Sequence, residues 1–348
     1  MTSKALLLTP SRGLGGGIER YAATVEWALK SNGIAYQRMD LVGSGPRAHA
    51  SLLAAAHEHL SADSPATRLI LAHRALLPLA MVLRRQRCVA GISVLFHGSD
   101  VWDRRRSIRQ VVESRAMRHP SVRAVAVSNY TAGALSHLRH ATVVPPGLSS
   151  DWYQTLIEAH RDRGIQRQQE IVTAFRLTAW REKGLPEIIA AVASLKQPGL
   201  NLVICGNGAV PNELRELVLK YPFCRLRSGI SDLELANQLA SAKIFVLATR
   251  MREGRRSCGE GYGMVLQEAQ LAGAPVIAPA YGGSHEAFVQ GLTGIAPVDE
   301  EAETLANVLR DLLADTNRLA QMGHDAAEWA RTRFSPEKYA ALVLDRLM

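Results

Sequence analysis

The sequence predicts an α/β protein made of two doubly wound, Rossmann-like domains facing each other across a cleft. Three observations carry that prediction. Short apolar runs alternate with longer amphipathic stretches along nearly all of the 348 residues, as in parallel βαβ units whose sheets are covered on both faces. The alternation breaks once, near residues 148–168, and then restarts. The length suits two domains of ordinary size better than one, and 47% hydrophobic residues with 21% charged residues can fill two cores.

In the first half the strand candidates are ALLLTP (5–10), RLILAH (68–73), ISVLFHG (92–98), VRAVAVS (122–128) and TVVPPG (142–147), with a further strand ending at Asp40. Helical patterns lie between them. IERYAATVEWALKSNG (18–33) repeats its apolar residues at three and four and stops at Asn32-Gly33. The prolines and glycine of VVPPGLSSDWYQ and the polar run RDRGIQRQQE (161–170) mark the boundary. Strand candidates resume with IVTAF (171–175), LNLVICG (200–206), RLRSG (225–229), KIFVLAT (243–249) and APVIAP (274–279). The tail SPEKYAALVLDRLM (335–348) offers Ser335 as an N-cap and Pro336 in the first turn of a terminal helix.

Composition narrows the function classes. The opening MTSKALLLTPSRG has no signal-peptide pattern, and the longest apolar run, ALLPLAMVL (75–83), falls short of a bilayer span. A soluble, cytoplasmic protein is expected. Cys88, Cys205, Cys224 and Cys258 are scattered without a CxxC pair, so reduced, buried thiols are expected rather than zinc ligands or disulfides. The net charge of +9 is uneven: between Arg84 and Arg118 nine arginines stand against Asp100, Asp103 and Glu113. Such a patch suits an anionic membrane surface, nucleic acid or a phosphorylated substrate, or reflects an arginine-rich composition alone. With 5% aromatic residues there is no interleaved platform for stacking bases, which argues against nucleic acid.

In doubly wound folds ligands gather at the carboxyl ends of strands, so chemistry is expected in the loops after strands. After the first strand, SRGLGGGIER places Gly13, Gly15, Gly16 and Gly17 before a helix, where backbone N–H groups can meet a phosphate. A dinucleotide fingerprint fails at Ile18, although Asp40 could mimic its ribose-binding acid. FHGSDVW puts His97 at a strand end, either as a functional or as a structural histidine. AFRLTAWREKGLPEII offers Arg176 and Lys183, seven apart beside a helix start; they are a diphosphate clamp or two solvated cations. Gly206 in ICGNG and Ile230 before a helix capped by Ser231 could wall a nucleotide.

GEGYGMVLQEA (259–269) places Glu260 in a glycine-rich loop and Glu268 inside a helical run. With a helix starting near Gly263, Glu268 lies about one and a half turns in. A carboxylate only accepts hydrogen bonds, which suits the two hydroxyls of a ribose. The alternative is a capped helix with two exposed glutamates.

In order, GGGIER, HGSD, AVSNYTAGAL, VVPPGL, FRLTAWREKGL, ICGNG and EGYGMVLQEAQLAGAPVIAPAYGGSHEAF resemble the family-4 retaining glycosyltransferases of the GT-B fold. The resemblance spans nearly the whole chain and is strongest from Phe175 to Gly294. It implies a hexosyltransferase that moves a sugar from a UDP or GDP donor to a hydroxyl acceptor in a cell-envelope glycan, a lipid-linked molecule or a natural product. It implies no cofactor and no metal. By analogy Arg176 and Lys183 hold the diphosphate together with Gly16 and Gly17. Glu268 takes the ribose, and Gly206, Ile230, Gly261, Tyr262, Gly263, Met264 and Val265 line the donor. His97 bonds the donor sugar or supports the reaction centre, and Glu260 orients the sugar or stabilises its positive charge. Residues 1–150 would form the acceptor domain and 151–334 the donor domain, with 335–348 packing back on the first. The basic stretch MREGRRSCGEGYG, with Arg252, Arg255 and Arg256, departs from the family pattern. Glu253-Gly254 is out of register, since Gly261 stands eight positions after Glu253. An epimerase or phosphorylase on the same fold, an oxidoreductase, and a basic membrane- or nucleic-acid-binding protein are the rival readings. RALLPLAMVLRRQR (74–87) is either a basic amphipathic helix touching a bilayer or a core helix.

Overall fold

A computed structural model describes residues 4–10, 16–60, 66–98, 101, 108–136, 140–163, 168–251 and 258–348. These residues divide into two compact units, one drawn from 1–149 and 336–348, the other from 150–251 and 258–335.

In the first unit the described strands are β1 (Lys4–Thr9), β2 (Ala35–Asp40), β3 (Thr67–Leu71), β4 (Val89–Phe96), β5 (Val122–Ala126) and β6 (Thr142–Val143). They form one parallel sheet in the order β2-β1-β3-β4-β5-β6, so the winding reverses between β1 and β3. The helices between them are α1 (Gly17–Ser31), α2 (Gly45–His59), α3 (Leu77–Leu83), α4 (Ile108–Met117) and α5 (Asn129–Leu135). Leu6, Leu8, Leu69, Leu71, Ile92 and Val94 pack with Leu52 of α2 and Leu79 and Leu83 of α3. The ALLPLAMVL stretch therefore spends Leu77, Leu79, Ala80 and Leu83 on the core. The last helix (Pro336–Leu347) lies against α1. Ser93 Oγ donates to the Leu347 carbonyl at 2.9 Å and Arg123 to the Arg346 carbonyl at 2.8 Å. These polar side chains on the sheet thus satisfy the open C-terminal carbonyls of that helix.

In the second unit the strands are β7 (Glu170–Ala174), β8 (Asn201–Gly206), β9 (Cys224–Ser228), β10 (Ile244–Val246), β11 (Val276–Ile277) and β12 (Gly294–Ile295). All are parallel, in the order β12-β11-β10-β7-β8-β9, and the winding reverses between β7 and β10. The helices are α6 (Ser150–Arg163), α7 (Leu185–Leu195), α8 (Asn212–Leu219), α9 (Asp232–Ser241), α10 (Met264–Leu271), α11 (Ala302–Ala314) and α12 (Thr316–Arg333). Ser231 caps α9 in a full capping box with Glu234. Among the described residues no helix is long and apolar enough to cross a membrane.

Two sequence expectations change. The boundary expected over 148–168 holds a helix: α6 packs on α9 and α10, with Trp152, Leu156 and Ala159 buried at helical spacing. The prolines before it end a strand and leave the helix intact. Several strands are also shorter than their apolar runs: KIFVLAT is a strand only over Ile244–Val246, although Leu247, Ala248 and Thr249 stay buried. Hydropathy reports burial, and burial continues past the ladder.

Gly184 links the two loops at the switch point of the second unit. Its φ is +70°, and a Cβ there would lie 2.1 Å from the Ala248 carbonyl oxygen. Gly199 has a similar φ of +77° with nothing within 4 Å of its Cβ position. Gly199→Ala should therefore cost about 1 kcal/mol, from the left-handed backbone alone, and Gly184→Ala about 3 kcal/mol or more, because a clash with backbone is added. Chemical denaturation of both variants measures the difference; equal losses would show that the close approach carries no energy.

Candidate functional site

The reversal of winding between β7 and β10 opens a crevice at the carboxyl ends of those strands, and the sequence spends its polar residues there. After β7, Arg176 precedes the 3-10 turn Leu177–Ala179, and Lys183 lies within the same compact turn, its N–H bonded to the Ala179 carbonyl at 3.0 Å. After β10 comes Thr249. Lys183 Nζ donates to Glu260 Oε2 at 2.8 Å, and Thr249 Oγ1 donates to the same oxygen at 3.1 Å. The Lys183 and Glu260 side chains are 24% and 13% exposed, so the pair is largely withdrawn from water. Arg176 is exposed and makes no ion pair or side-chain hydrogen bond among the described residues.

The loop after β11 clasps the backbone of Glu260. Gly283 N–H donates to the Glu260 carbonyl at 2.8 Å. A Cβ on Gly282, whose φ is +117°, would meet that carbonyl oxygen at 2.6 Å. Gly263, at φ +81°, then turns the chain into α10. Gly261, Tyr262 and Gly263 are buried, and Met264 and Val265 are half-buried at the helix start. The Tyr262 ring faces the interior at 3% exposure, and burial pushes its phenol well above the ordinary value. Any ligand contact of Tyr262 is thus through its backbone.

Glu268 is 3% exposed, and its Oε1 accepts from Trp152 Nε1 at 3.1 Å. The reading of 259–269 as a capped helix with two exposed glutamates is set aside by these burials. Gly206 has an internal reason to be glycine, because a Cβ would lie 2.1 Å from the Phe175 carbonyl oxygen. Ile230 is half-buried immediately before the α9 cap.

In the first unit Gly16 is the N-cap of α1 and Gly17 its first residue, and a Cβ on Gly17 would meet nothing within 4 Å. Asp40 Oδ1 accepts from Thr9 Oγ1 and from Arg38 Nε, so it serves to fix the strand ends. His97 Nε2 donates to the Ala72 carbonyl at 2.6 Å, so that ring nitrogen carries a proton. Its ring meets the edge of Tyr21 at 5.4 Å and lies parallel to that of His73 at 6.2 Å.

Gly13, Gly15, Asp100, Asp103, Arg252, Glu253, Gly254, Arg255 and Arg256, singled out in the sequence, lie outside the described residues. No group of three or more His, Cys, Asp or Glu residues able to hold a metal ion occurs among the described residues. Sequence reading missed Thr249, Trp152 and His73. Trp152 had a signal in the helical spacing of Trp152, Leu156 and Ala159, whereas Thr249 had none beyond its place at the end of an apolar run.

Residues 157–329 match the family described as Glycosyl transferases group 1. The chain is 28% identical over 286 residues to a GDP-mannose-dependent alpha-(1-6)-phosphatidylinositol monomannoside mannosyltransferase of Mycobacterium tuberculosis, covering 78% of this chain and 73% of the relative. It is 28% identical over 244 residues to a D-inositol 3-phosphate glycosyltransferase of Corynebacterium aurimucosum, covering 64% of this chain and 56% of the relative. Its fold is similar to that of Anabaena Alr3699/HepE in complex with UDP and glucose, with a TM-score of 0.75 at 16% identity over 98% of each chain.

The burial of the Lys183–Glu260 pair sets its energetic weight. A double-mutant cycle with Lys183→Met and Glu260→Gln should give a coupling of about 1–2 kcal/mol in chemical denaturation, since removing one partner strands a half-buried charge. The same cycle on Arg181 and Glu213, whose side chains are 57% and 65% exposed, should give about 0.5 kcal/mol or less. A null coupling at Lys183–Glu260 would mean that the pair does not order these loops.

Proposed function

The chain belongs to the group 1 glycosyltransferases of GT-B fold, and on that premise we propose that it is a family-4 retaining hexosyltransferase using a nucleotide diphosphate sugar. The observation that carries this reading is the Lys183–Thr249–Glu260 cluster at the winding reversal of the second unit, with the exposed guanidinium of Arg176 on the same loop as Lys183.

Arg176 supplies a fork of donors and Lys183 a mobile point charge to the donor diphosphate. Lys183 has three donors, so it can take a phosphate oxygen while keeping Glu260. The bond between the anomeric carbon and the phosphate oxygen breaks as the acceptor oxygen bonds that carbon on the same face. The acceptor proton passes to the departing phosphate oxygen, whose charge the two cations offset. Glu260 faces the sugar and stabilises its developing positive charge, and Glu268 takes the ribose. In the first unit the open space at Gly17, at the start of α1, supports close approach of an anion. Because side-chain cations carry the phosphate charge, we expect transfer to continue in the presence of a chelator.

The mannosyltransferase relatives favour GDP-mannose as the first donor to test and a lipid-linked hydroxyl as the first acceptor class. Thermal stabilisation with a panel of GDP-, UDP- and dTDP-hexoses should single out one base, since ligand bound only by the folded state raises its stability. With that donor, replacing both Arg176 and Lys183 by Ala should lower transfer about 1,000-fold, by analogy with removal of a preorganised oxyanion donor. Turnover within tenfold of the parent would reject the diphosphate clamp, and epimerised donor or phosphate-dependent cleavage would reject transfer itself.

We also propose a cytoplasmic location with peripheral contact to an anionic membrane. Val82, Arg85, Arg87, Val111, Arg115 and Arg118 are exposed on or beside the neighbouring helices α3 and α4. Reversing Arg85, Arg87, Arg115 and Arg118 to Glu should abolish co-sedimentation with vesicles rich in phosphatidylglycerol, since each basic residue near such a surface is worth about 1 kcal/mol. Binding that does not depend on anionic lipid would reject the contact.

A further inference from the structure

We propose that Trp152 is a positioning residue for Glu268 and sets how strongly this protein distinguishes a ribonucleotide from a deoxyribonucleotide. The inference rests on the assignment of Glu268 to the donor ribose and adds to it a residue from outside the donor loops.

Trp152 is the third residue of α6, and Glu268 is the fifth of α10. The indole Nε1–H donates to Glu268 Oε1 at 3.1 Å, with the two residues 9% and 3% exposed. An indole nitrogen can only donate and an ionised carboxylate can only accept, so the contact has one possible sense. It joins residues 116 positions apart in the chain, and α6 is pressed onto α10 by its own apolar face. That face is Trp152, Leu156 and Ala159. A phenylalanine would close the same apolar seam, and the extra content of tryptophan here is the N–H.

A carboxylate must be held in rotation to read two adjacent hydroxyls. With Oε1 engaged by the indole, the plane of the carboxylate is fixed, and with it the direction in which Oε2 presents its lone pairs. A site built to accept from a hydroxyl discriminates strongly against the analogue that lacks it, because the acceptor is then left unpaired. Loss of the indole N–H removes one oriented contact while leaving the carboxylate present, so discrimination falls while the contacts to base and phosphate persist.

The test compares GDP and UDP with their 2′-deoxy and 3′-deoxy counterparts by calorimetry on the full chain. The parent should bind the ribonucleotide of the accepted base about tenfold or more tightly than a deoxy form. In Trp152→Phe that ratio should fall to about threefold or less, with affinity for the deoxy nucleotides unchanged. Leu156→Ala, on the same helix face, should lower stability and leave the ratio at its parent value. If Trp152→Phe does not fold, benzothienylalanine at position 152, which replaces only the N–H by sulfur, should give the same loss of ratio. A parallel drop for ribo and deoxy ligands in the Trp152 variants would overturn the positioning role. So would an unchanged ratio in those variants alongside a collapsed ratio in Glu268→Ala. An unchanged ratio in Glu268→Ala, or no discrimination by the parent, would instead overturn the ribose assignment itself.

Discussion

The approach of the Gly184 backbone to the Ala248 carbonyl is the constraint on which the loops of the candidate site depend. A missing side chain lets the loop after β7 lie directly on the end of β10, with a hypothetical Cβ only 2.1 Å from the carbonyl oxygen. Lys183 is the neighbour of Gly184 and Thr249 the neighbour of Ala248, so the backbone contact places ammonium and hydroxyl side by side. Glu260 then meets both with one oxygen. A second clasp, Gly283 N–H to the Glu260 carbonyl, ties in the loop after β11. Three loops from three adjacent strands are thereby joined before any ligand contributes. Preorganisation of this kind matters because charge stabilisation in catalysis is strongest where the groups need not move when charge develops.

The two cations on the β7 loop play different parts. Lys183 rests against Glu260 in a partly buried pair, which orders a flexible four-carbon stem. Arg176 is exposed, its stem passing Gly208 with a Cβ position there 3.8 Å from Arg176 Cγ. On the proposed reading, a diphosphate arriving from water would first meet a guanidinium whose donors are already in a planar fork, then an ammonium already held in place. That division suits the chemistry of the two side chains.

Much of this was legible in the sequence. The alternating runs gave two parallel sheets because buried strands and amphipathic helices have different periods, and Ser231 announced the start of α9. The spacing from Gly263 to Glu268 placed the second glutamate correctly in α10, since helix geometry converts residue number into depth. Other features left no local trace. The strand β12, Gly294–Ile295, is too short to have a period. Thr249 acquires a role only through its neighbours across the fold. The helix α6 was obscured by the two prolines and the glycine that precede it, although its apolar spacing was present. The fixed Nε2 proton of His97 depends on a backbone carbonyl at Ala72, and no motif encodes a carbonyl.

The two glutamates of GEGYGMVLQEA show why the same residue type eight positions apart can serve two tasks. Glu260 lies before the left-handed turn at Gly263, on a loop held by its backbone, and its carboxylate shares charge with a lysine. Glu268 lies after that turn, on a helix, and its carboxylate meets the neutral N–H of a tryptophan. The first environment pairs a charge with a charge, which suits the proposed role beside phosphate and a developing cation. The second includes a hydrogen bond from a fixed dipole, a directional contact that suits the proposed reading of a pair of hydroxyls. Gly263 separates these environments: with φ at +81°, it lets the chain leave the loop and enter the helix within one residue. A side chain there would strain the turn and press on Leu266 Cδ1 at 2.9 Å, in the first turn of α10, and on Glu260 Cγ at 3.4 Å, so the loop and the helix both depend on this glycine. The spacing is therefore set by the turn between the two carboxylates as much as by the carboxylates themselves.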